Sequence, residues 1–398
     1  MKQKENSKIY ILGFLIFLFI IQSYIPVFKE ALSYSGSSDF HWAPAKCAFN
    51  GINHYQAFII GDKTCKIFMT QFGDYLQAFY VVMYPFTLLE WEMAKAAWLI
   101  VNLFFLILIT NMISKKLDLD LNEKLISYFF VFFCITTKIN FIMGQQALFV
   151  LFFLILPFLK ESKKNYFFAG LCYVKYNIGY ALFLYLVVNK KYKSLALTLI
   201  PIIIGWLIYA YITKSPLILS IFDPLFLLLK NFQILNGLNH KFIATPFINF
   251  TDNYNLNLII IVLLIFVFNF LILTKISKIK DNLTKVSLIS LLILISFPHW
   301  SHDYIILIPL FMISLKNFFS HIIYKINMIV CIYFLHLHKV FHDYTVKFLN
   351  FINVDDQYIV LFGNSYPYIN ILILIICLGI NLLNNDYAKT SKNEILNH

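Results

Sequence analysis

Residues 37–55, SSDFHWAPAKCAFNGINHY, place ionisable and aromatic side chains just after a long apolar stretch. Pro44 suits the first turn of a helix and Gly51 suits the position past its end, so this pattern predicts a short helix. Asp39 precedes that helix, near the positive end of its dipole, which favours an ionised carboxylate. Such a carboxylate can orient an acceptor hydroxyl and take its proton. An ordinary loop or helix-capping aspartate has the same sequence pattern.

A second candidate is Lys175, near the midpoint of the apolar segment 165–188. A charge at membrane depth is expensive unless it faces a cavity, so Lys175 is a candidate phosphate ligand. The alternative is a lysine that snorkels from a helix end to the interface. The chain has no arginine. Any phosphate is therefore held by lysine, histidine or backbone N–H groups, without a guanidinium fork.

A third group, His299, His302 and Asp303, lies in the short polar segment PHWSHDY at 298–304. These side chains suit contact with a phosphate or a sugar, and an ordinary interfacial loop fits equally well. A metal site is the weaker alternative, because hard cations such as Mg²⁺ prefer several carboxylates and waters. We predict no metal.

Composition identifies the elements that must position these residues. Of 398 residues, 60% are hydrophobic and only 13% are charged, and the mean hydropathy is +0.74. Soluble domains carry about 25% charged residues. Apolar runs at 9–28, 256–273 and 369–383 approach or reach the ~20 residues that span a bilayer. We therefore predict an all-α polytopic membrane protein, a single integral membrane domain over residues 1–398 with about 10–12 transmembrane helices.

The net charge of +12 comes from lysines that cluster in short segments between the apolar runs. The positive-inside rule places such segments in the cytoplasm. We expect a plasma-membrane protein (the inner membrane of a bacterium) with both termini cytoplasmic and no nucleic-acid partner. The predicted outer segments are 29–92, 214–255 and 341–368. The predicted cytoplasmic segments are 1–8, 114–124, 160–165, 189–193, 275–285, 316–325 and 386–398.

The interval between two of these cytoplasmic segments is too short for a regular hairpin. Only 24 residues, 165–188, separate KESKK from NKKYK. Two straight crossings of ~30 Å need about 40 residues. The interval is therefore predicted to form two short, broken helices or a re-entrant element around Lys175.

Cys47 and Cys65 both fall in the first predicted outer segment, where an oxidising compartment allows a disulfide, but two cysteines leave the question open. Cys134, Cys172, Cys331 and Cys377 lie in apolar runs and are interpreted as apolar filler. The apolar stretch 221–232, IFDPLFLLLKNF, is predicted to lie at the membrane interface.

Several short motifs, in order along the chain, resemble glycosyltransferase family 87, the polyprenol-phosphate-mannose-dependent mannosyltransferases. A DF pair and a G-x-N-x-Y segment follow the first span, and later motifs keep the order and topology of that family. The matching residues are Asp39-Phe40, Gly51, Asn53, Tyr55, Tyr84-Pro85-Phe86, Gly144-Gln145, Ala169-Gly170-Leu171, Lys175, Pro298 and His302-Asp303-Tyr304.

The resemblance implies a GT-C-like fold whose first outer loop carries the active site at the outer membrane face. It implies inverting transfer of a hexose such as mannose from a polyprenyl-phosphate donor to a glycolipid or glycan acceptor, with no cofactor. Asp39 would be the general base, and Lys175 and His302 would hold the donor phosphate. Substrate contacts would fall to His41, Tyr55, Tyr84, Gln145, His299 and Asp303.

Two other classes of function remain. A secondary transporter or a lipid or glycan flippase would suit Lys138 and Lys175 in or near spans and the broken hairpin. The chain has no paired halves and no intramembrane carboxylate–histidine relay, which disfavours transport. A non-catalytic membrane scaffold is the third alternative. For Gln145, a helix-packing amide is as good an interpretation as a substrate contact.

Overall fold

The computed structural model describes residues 18–19, 21–33, 41–61, 75–227, 254–296, 301–352 and 369–383. These residues form helices and connections, and there is no strand among them. Two helices, Trp91–Lys116 and Tyr192–Thr213, are long and apolar enough to cross a membrane. The predicted class, an all-α polytopic membrane protein, is confirmed. Asp39, Cys65 and His299 lie outside the described residues.

By their contacts the helices form two compact units. The first unit comprises Met1–Tyr180 and Tyr192–His240, and the second comprises Ala181–Lys191 and Lys241–His398. The single membrane domain over residues 1–398 stays a prediction.

In the first unit, helix α1 covers residues 21–31, and the unit contains both long apolar helices. Its further helices are α2 (Trp42–Phe49), α3 (His54–Ile60), α4 (Gln77–Val82), α5 (Tyr84–Thr87), α6 (Trp91–Lys116), α7 (Leu121–Phe133), α8 (Ile135–Met143), α9 (Ala147–Leu159), α10 (Lys163–Ala169), the first residues of α11 (Tyr176–Val188), α12 (Tyr192–Thr213), α13 (Leu217–Ser220) and α14 (223–227).

The candidate spans α6 and α12 have 26 and 22 residues. At ~1.5 Å per residue these helices are about 39 and 33 Å long, enough for the ~30 Å hydrocarbon core. Helix α12 leaves apolar side chains exposed, among them Ile203, Ile204 and Leu207, as a lipid-facing surface requires. Helices α7 and α8 pass the same test only as a pair, bent by 51° at Cys134.

The remaining apolar helices have 10–17 residues: Ala147–Leu159, Tyr176–Val188, Leu263–Ser277, Asn282–Ser296 and Ile369–Leu383. The number of ten to twelve crossings and the sidedness of the loops stay predictions. Short connections between helices in the described residues lie in each of the predicted lysine-rich segments 114–124, 160–165, 189–193, 275–285 and 316–325.

The predicted break around Lys175 is confirmed. Helix α10 passes into a 3₁₀ turn over Gly170–Val174, Lys175 leaves the helical conformation (φ −102°, ψ 86°), and α11 begins at Tyr176. A Cβ added at Gly170 would lie 1.9 Å from the carbonyl oxygen of Thr198 on α12. The turn is therefore packed directly on the α12 backbone, where only glycine fits.

The described part of the first predicted outer segment, residues 41–61 and 75–92, contains four short helices, α2 to α5. Helix α2 has Pro44 in its first turn and ends just before Gly51, as predicted, and Gly51 has a φ of +84°, which suits glycine. Helix α4 packs along α12 so closely that a Cβ at Gly205 would lie 2.4 Å from Ala78. This contact places α4 alongside the middle of a candidate span.

The second unit contains α15 (Tyr254–Ser277), α16 (Asn282–Ser296), a 3₁₀ segment (Ser301–Leu307), α17 (Ile308–Lys316), α18 (Ile322–Ile332), a π-helical turn (Tyr333–Leu337), α19 (His338–Phe351) and α20 (Ile369–Leu383). The side-chain amides of Asn327 and Asn381 donate to each other's oxygens at 3.0 and 2.7 Å. Such paired amides hold α18 to α20 where water is absent.

Candidate functional site

Tyr75 is the centre of a buried cluster in the first unit. Its hydroxyl donates to Oε1 of Gln146 at 2.8 Å, and its carbonyl accepts a hydrogen bond from the hydroxyl of Tyr55. The ring of His41 meets the Tyr75 ring edge-on at 4.4 Å between centroids. The Lys175 ammonium lies 6.0 Å from the centroid of the same ring. The fold thus joins three of the predicted site residues, His41, Tyr55 and Lys175, through a tyrosine that sequence analysis missed.

Lys175 is buried, with 6% of its surface exposed, and the helix break positions it. The backbone N–H of Leu76 donates to the carbonyl of Val174 at 3.1 Å, which fixes the start of α4 against the break. The Tyr173 hydroxyl lies 2.9 Å from Oγ1 of Thr198. Thr198 lies six residues, about 9 Å, from the start of α12 and fifteen residues, about 22 Å, from its end. The break therefore packs against the interior of a candidate span, where a lysine calls for a functional reason.

His41 occupies the position before α2 and is 4% exposed. Burial lowers the pKa of His41 to about 3, with smaller contributions from the positive charges of His54 and Lys175. The imidazole is therefore neutral at neutral pH. Among the described residues, Nδ1 of His41 has no hydrogen-bond partner. A buried polar atom of this kind calls for a partner, and a bound ligand can supply one.

Asn53, in the G-x-N-x-Y motif, holds the start of α3, and with it Tyr55, in place through its side-chain hydrogen bonds. Oδ1 of Asn53 accepts the N–H groups of Tyr55 and Gln56 at the start of α3, which is ordinary N-capping. The amides of Asn53 and Gln56 also donate to the carboxylate of Asp223, which is 2% exposed. These two amide donors satisfy the buried carboxyl oxygens. Asp223 was missed because the stretch 221–232 was interpreted as apolar; a lone acid within it was the available signal.

Gln145 is buried beside the turn that closes α8. Gly144 has a φ of +68°, and the Gln145 N–H donates to the Asn140 carbonyl at 2.9 Å. The side chain that reaches Tyr75 belongs instead to the next residue, Gln146. The G-Q motif therefore borders the cluster, and its assignment to Gln145 itself stays a prediction.

Tyr84 lies in a different part of the first unit. Its side chain is 44% exposed, and its ring packs against Phe49 at 4.4 Å between centroids. Cys47 is disulfide-bonded, and Cys65, the candidate partner that the sequence left open, lies outside the described residues. Cys134, Cys172, Cys331 and Cys377 are buried free thiols.

In the second unit, His302 and Asp303 lie on the 3₁₀ segment and are both buried. Nε2 of His302 lies 3.6 Å from Oδ1 of Asp303. The neighbouring Tyr304 ring packs on Phe334 and His338 at the π-helical turn, at 4.7 and 4.6 Å between centroids. The described residues contain no group of three or more His, Cys, Asp or Glu side chains placed to hold a metal ion.

Fold and site together define an all-α membrane protein whose first unit encloses a cluster of polar and aromatic side chains around a lysine. The sequence profile of glycosyltransferase family 87 matches residues 77–297, more than half of the chain, and the chain belongs to this family. The resemblance found in the short motifs is confirmed, and the protein is a membrane glycosyltransferase. No curated protein and no solved structure matches the chain significantly. The matched region includes Tyr84, Gln145 and Lys175, and ends before His302.

Proposed function

We propose that this protein transfers a hexose, such as mannose, from a polyprenyl-phosphate donor to a lipid- or glycan-linked acceptor at the outer membrane face, with inversion. Family membership supports sugar transfer. The observation that carries the site is the meeting of His41 and Lys175 at the Tyr75 ring. His41 belongs to the first predicted outer segment and Lys175 to the predicted broken hairpin, so two distant parts of the chain meet at this ring.

In this proposal Asp39 is the general base. Two residues of extended chain reach at most ~7 Å, so the covalent chain keeps Asp39 within reach of the surroundings of His41. The acceptor hydroxyl oxygen attacks the anomeric carbon while its proton passes to the Asp39 carboxylate. The bond from that carbon to the phosphate oxygen breaks on the opposite face, and its electron pair leaves with the polyprenyl phosphate.

Lys175 binds the donor phosphate and stabilises the charge that the leaving group carries away. A fixed cation in a buried site is worth more than in water, because little solvent must reorganise. The helix break supports this role, since it brings the ammonium into a space shared with Tyr75 instead of along a helix surface. A phosphate leaving group needs this charge stabilisation and no strong acid.

His41 stays neutral beside Lys175 and offers Nδ1 to a sugar hydroxyl. A neutral imidazole can donate or accept there without competing for the phosphate. Tyr55 is fully buried with its hydroxyl engaged by Tyr75, which favours a positioning role for it. The family resemblance of the short motifs also assigns His302 to the donor phosphate and His299 and Asp303 to substrate contact.

The test is transfer from radiolabelled polyprenyl-phosphate mannose in isolated membranes. Asp39→Asn keeps the size of the side chain but removes its proton affinity, so we expect transfer to fall by about 10²–10⁴. Donor binding and membrane insertion stay near wild type. Asp39→Glu recovers little, because one methylene displaces the carboxylate from its alignment.

The matched control is Asp343→Asn, at an exposed position on α19, which leaves transfer unchanged. Near-wild-type transfer by Asp39→Asn would remove the general base from the proposal. If the protein were a transporter or flippase, both the wild type and the Asp39→Asn variant would move labelled donor across the membrane without forming a new glycoside.

A further inference from the structure

A groove of about 490 Å³ opens in the first unit between the end of α2 and α5. Ligand sites typically have volumes of ~300–1,000 Å³. Its lining includes Lys46, Phe49, Asn50, Tyr84, Thr87 and Leu88. None of these residues belongs to the Tyr75 cluster, and no step of the proposed transfer uses the groove.

The groove combines an aromatic surface with hydrogen-bonding groups. The Tyr84 ring packs on Phe49 and remains 44% exposed, so it presents a face to a ligand. The Lys46 ammonium donates to the Thr87 carbonyl at 2.7 Å, which leaves two of its three N–H donors for other acceptors. The exposed Asn50 amide supplies both a donor and an acceptor.

This chemistry favours a sugar ring over the other occupants of a membrane-side groove. A pyranose has an apolar C–H face that stacks on an aromatic ring, and hydroxyls that both donate and accept at its rim. A hydrocarbon tail would cover the Asn50 amide and the other two Lys46 donors without pairing them, which is costly. A phosphate would use the ammonium and leave the exposed Tyr84 face unoccupied.

The position of the groove fits the acceptor better than the donor. Helix α2 carries His41 at its start and Asn50 just past its end, nine residues or about 13 Å further on. The reacting hydroxyl of the proposed transfer lies at the His41 end. Ile212, which also lines the groove, is next to the last residue of the candidate span α12. The groove therefore opens at a span end, where glycan and headgroup lie.

We propose that this groove binds a sugar unit of the acceptor glycan, beyond the unit that receives the new bond. The inference rests on the proposed transfer reaction and assigns its acceptor to the carbohydrate class. In this proposal the acceptor sugar stacks on the Tyr84 ring, and its hydroxyls form hydrogen bonds with Lys46 and Asn50 at the rim of the groove.

The experiment is saturation-transfer NMR on the full-length protein in a detergent without a sugar headgroup. The probes are mannobiose and maltose, with inorganic phosphate as competitor. We expect saturation transfer to at least one disaccharide. Tyr84→Ala should lower the affinity for that disaccharide about two- to tenfold, the loss expected for an aromatic contact. Lys46→Gln also weakens binding. The control Tyr192→Ala removes another exposed tyrosine, at the other end of α12, and leaves binding unchanged.

Absence of saturation transfer to both disaccharides would overturn the inference, as would a Tyr84→Ala protein that binds like wild type. Displacement of the disaccharide by millimolar phosphate would identify an anion site instead. Asp39→Asn separates the two proposals, because it lowers transfer by about 10²–10⁴ while disaccharide binding persists. If wild-type membranes transfer no sugar yet the groove binds disaccharide, the transfer proposal fails and the carbohydrate site remains.

Discussion

The Tyr75 cluster and the His302–Tyr304 segment contain similar residue types but are assembled in different ways. His302 and Asp303 are adjacent in the chain, so their 3.6 Å approach is within reach in almost any conformation. The hydrogen bond from Tyr75 to Gln146 spans 71 residues, and Lys175 comes from still further along. Closing such loops costs entropy that packing must offset. A contact between residues so far apart in the chain is therefore stronger support for a functional arrangement than a contact between chain neighbours.

The two regions also differ in how they treat charge. The Asp303 carboxylate lies beside the His302 ring and offsets its charge whenever the ring is protonated. In the Tyr75 cluster, burial keeps His41 neutral, and the lysine lies against an aromatic face. The first arrangement suits a locally balanced structural or weakly binding segment. The second suits recognition of an anion next to a sugar.

The largest effect is expected in the acid stability of the Tyr75 cluster. The folded pKa of His41 is about 3, below the ~6.5 of an unfolded histidine. As the pH falls through 6.5 the unfolded chain takes up the proton first, so the folded state loses stability from about pH 6.5 down to pH 3. The slope from this residue is at most about 1.4 kcal/mol per pH unit. His41→Gln should remove that component.

Thermal unfolding in detergent between pH 7 and pH 4 measures this component. The control His342→Gln, at a partly exposed position on α19, should retain the wild-type pH dependence. If His41→Gln loses stability with acid as steeply as wild type, His41 is not buried in its neutral form, and the contrast between the two regions fails at this residue.

A smaller effect is expected when the charge of Lys175 is removed. Lys175→Gln keeps most of the side-chain length but removes a charge-assisted hydrogen bond worth about 1.5–3 kcal/mol. The dissociation constant for polyprenyl-phosphate mannose should therefore rise about 10- to 150-fold. Binding to the purified protein measures this directly, and the amount of folded protein should change little.

Lys138 provides a matched control, because its ammonium also lies over an aromatic ring, 5.4 Å from the centroid of Phe133. Lys138→Gln should leave donor affinity near wild type. Equal losses at the two lysines would point to a general electrostatic effect, and normal donor binding by Lys175→Gln would make Lys175 a structural lysine.

The smallest effect is expected at His302. His302→Gln retains a donor next to Asp303, and it weakens an ordinary hydrogen bond to the phosphate, worth about 0.5–1.5 kcal/mol. Donor affinity should fall by no more than about tenfold. Competition binding against the wild-type protein resolves a change of this size. A loss as large as that for Lys175→Gln would make His302 as important for donor binding as Lys175 and would reverse the comparison.

Sequence reasoning succeeded where the signal is local. The short helix that has Pro44 in its first turn and Gly51 past its end, and the helix break before Lys175, depend on nearby residues and on segment length, and both are present. It missed Tyr75 and Gln146, because the role of each depends on the hydrogen bond between them. It also failed at Asp223, because one acid in an apolar run does not reveal which amides will compensate it.

The sequence by itself determined the membrane class, the family and the place of the break, since these follow from apolar run lengths, ordered motifs and the spacing of lysine-rich turns. Only the tertiary structure decided that His41, Tyr55 and Lys175 share one buried tyrosine, whereas Tyr84 lines a separate groove. The physical reason is packing. Gly205 and Gly170 let α4 and the 3₁₀ turn approach the α12 backbone closely. That approach, which no linear pattern encodes, brings distant residues together.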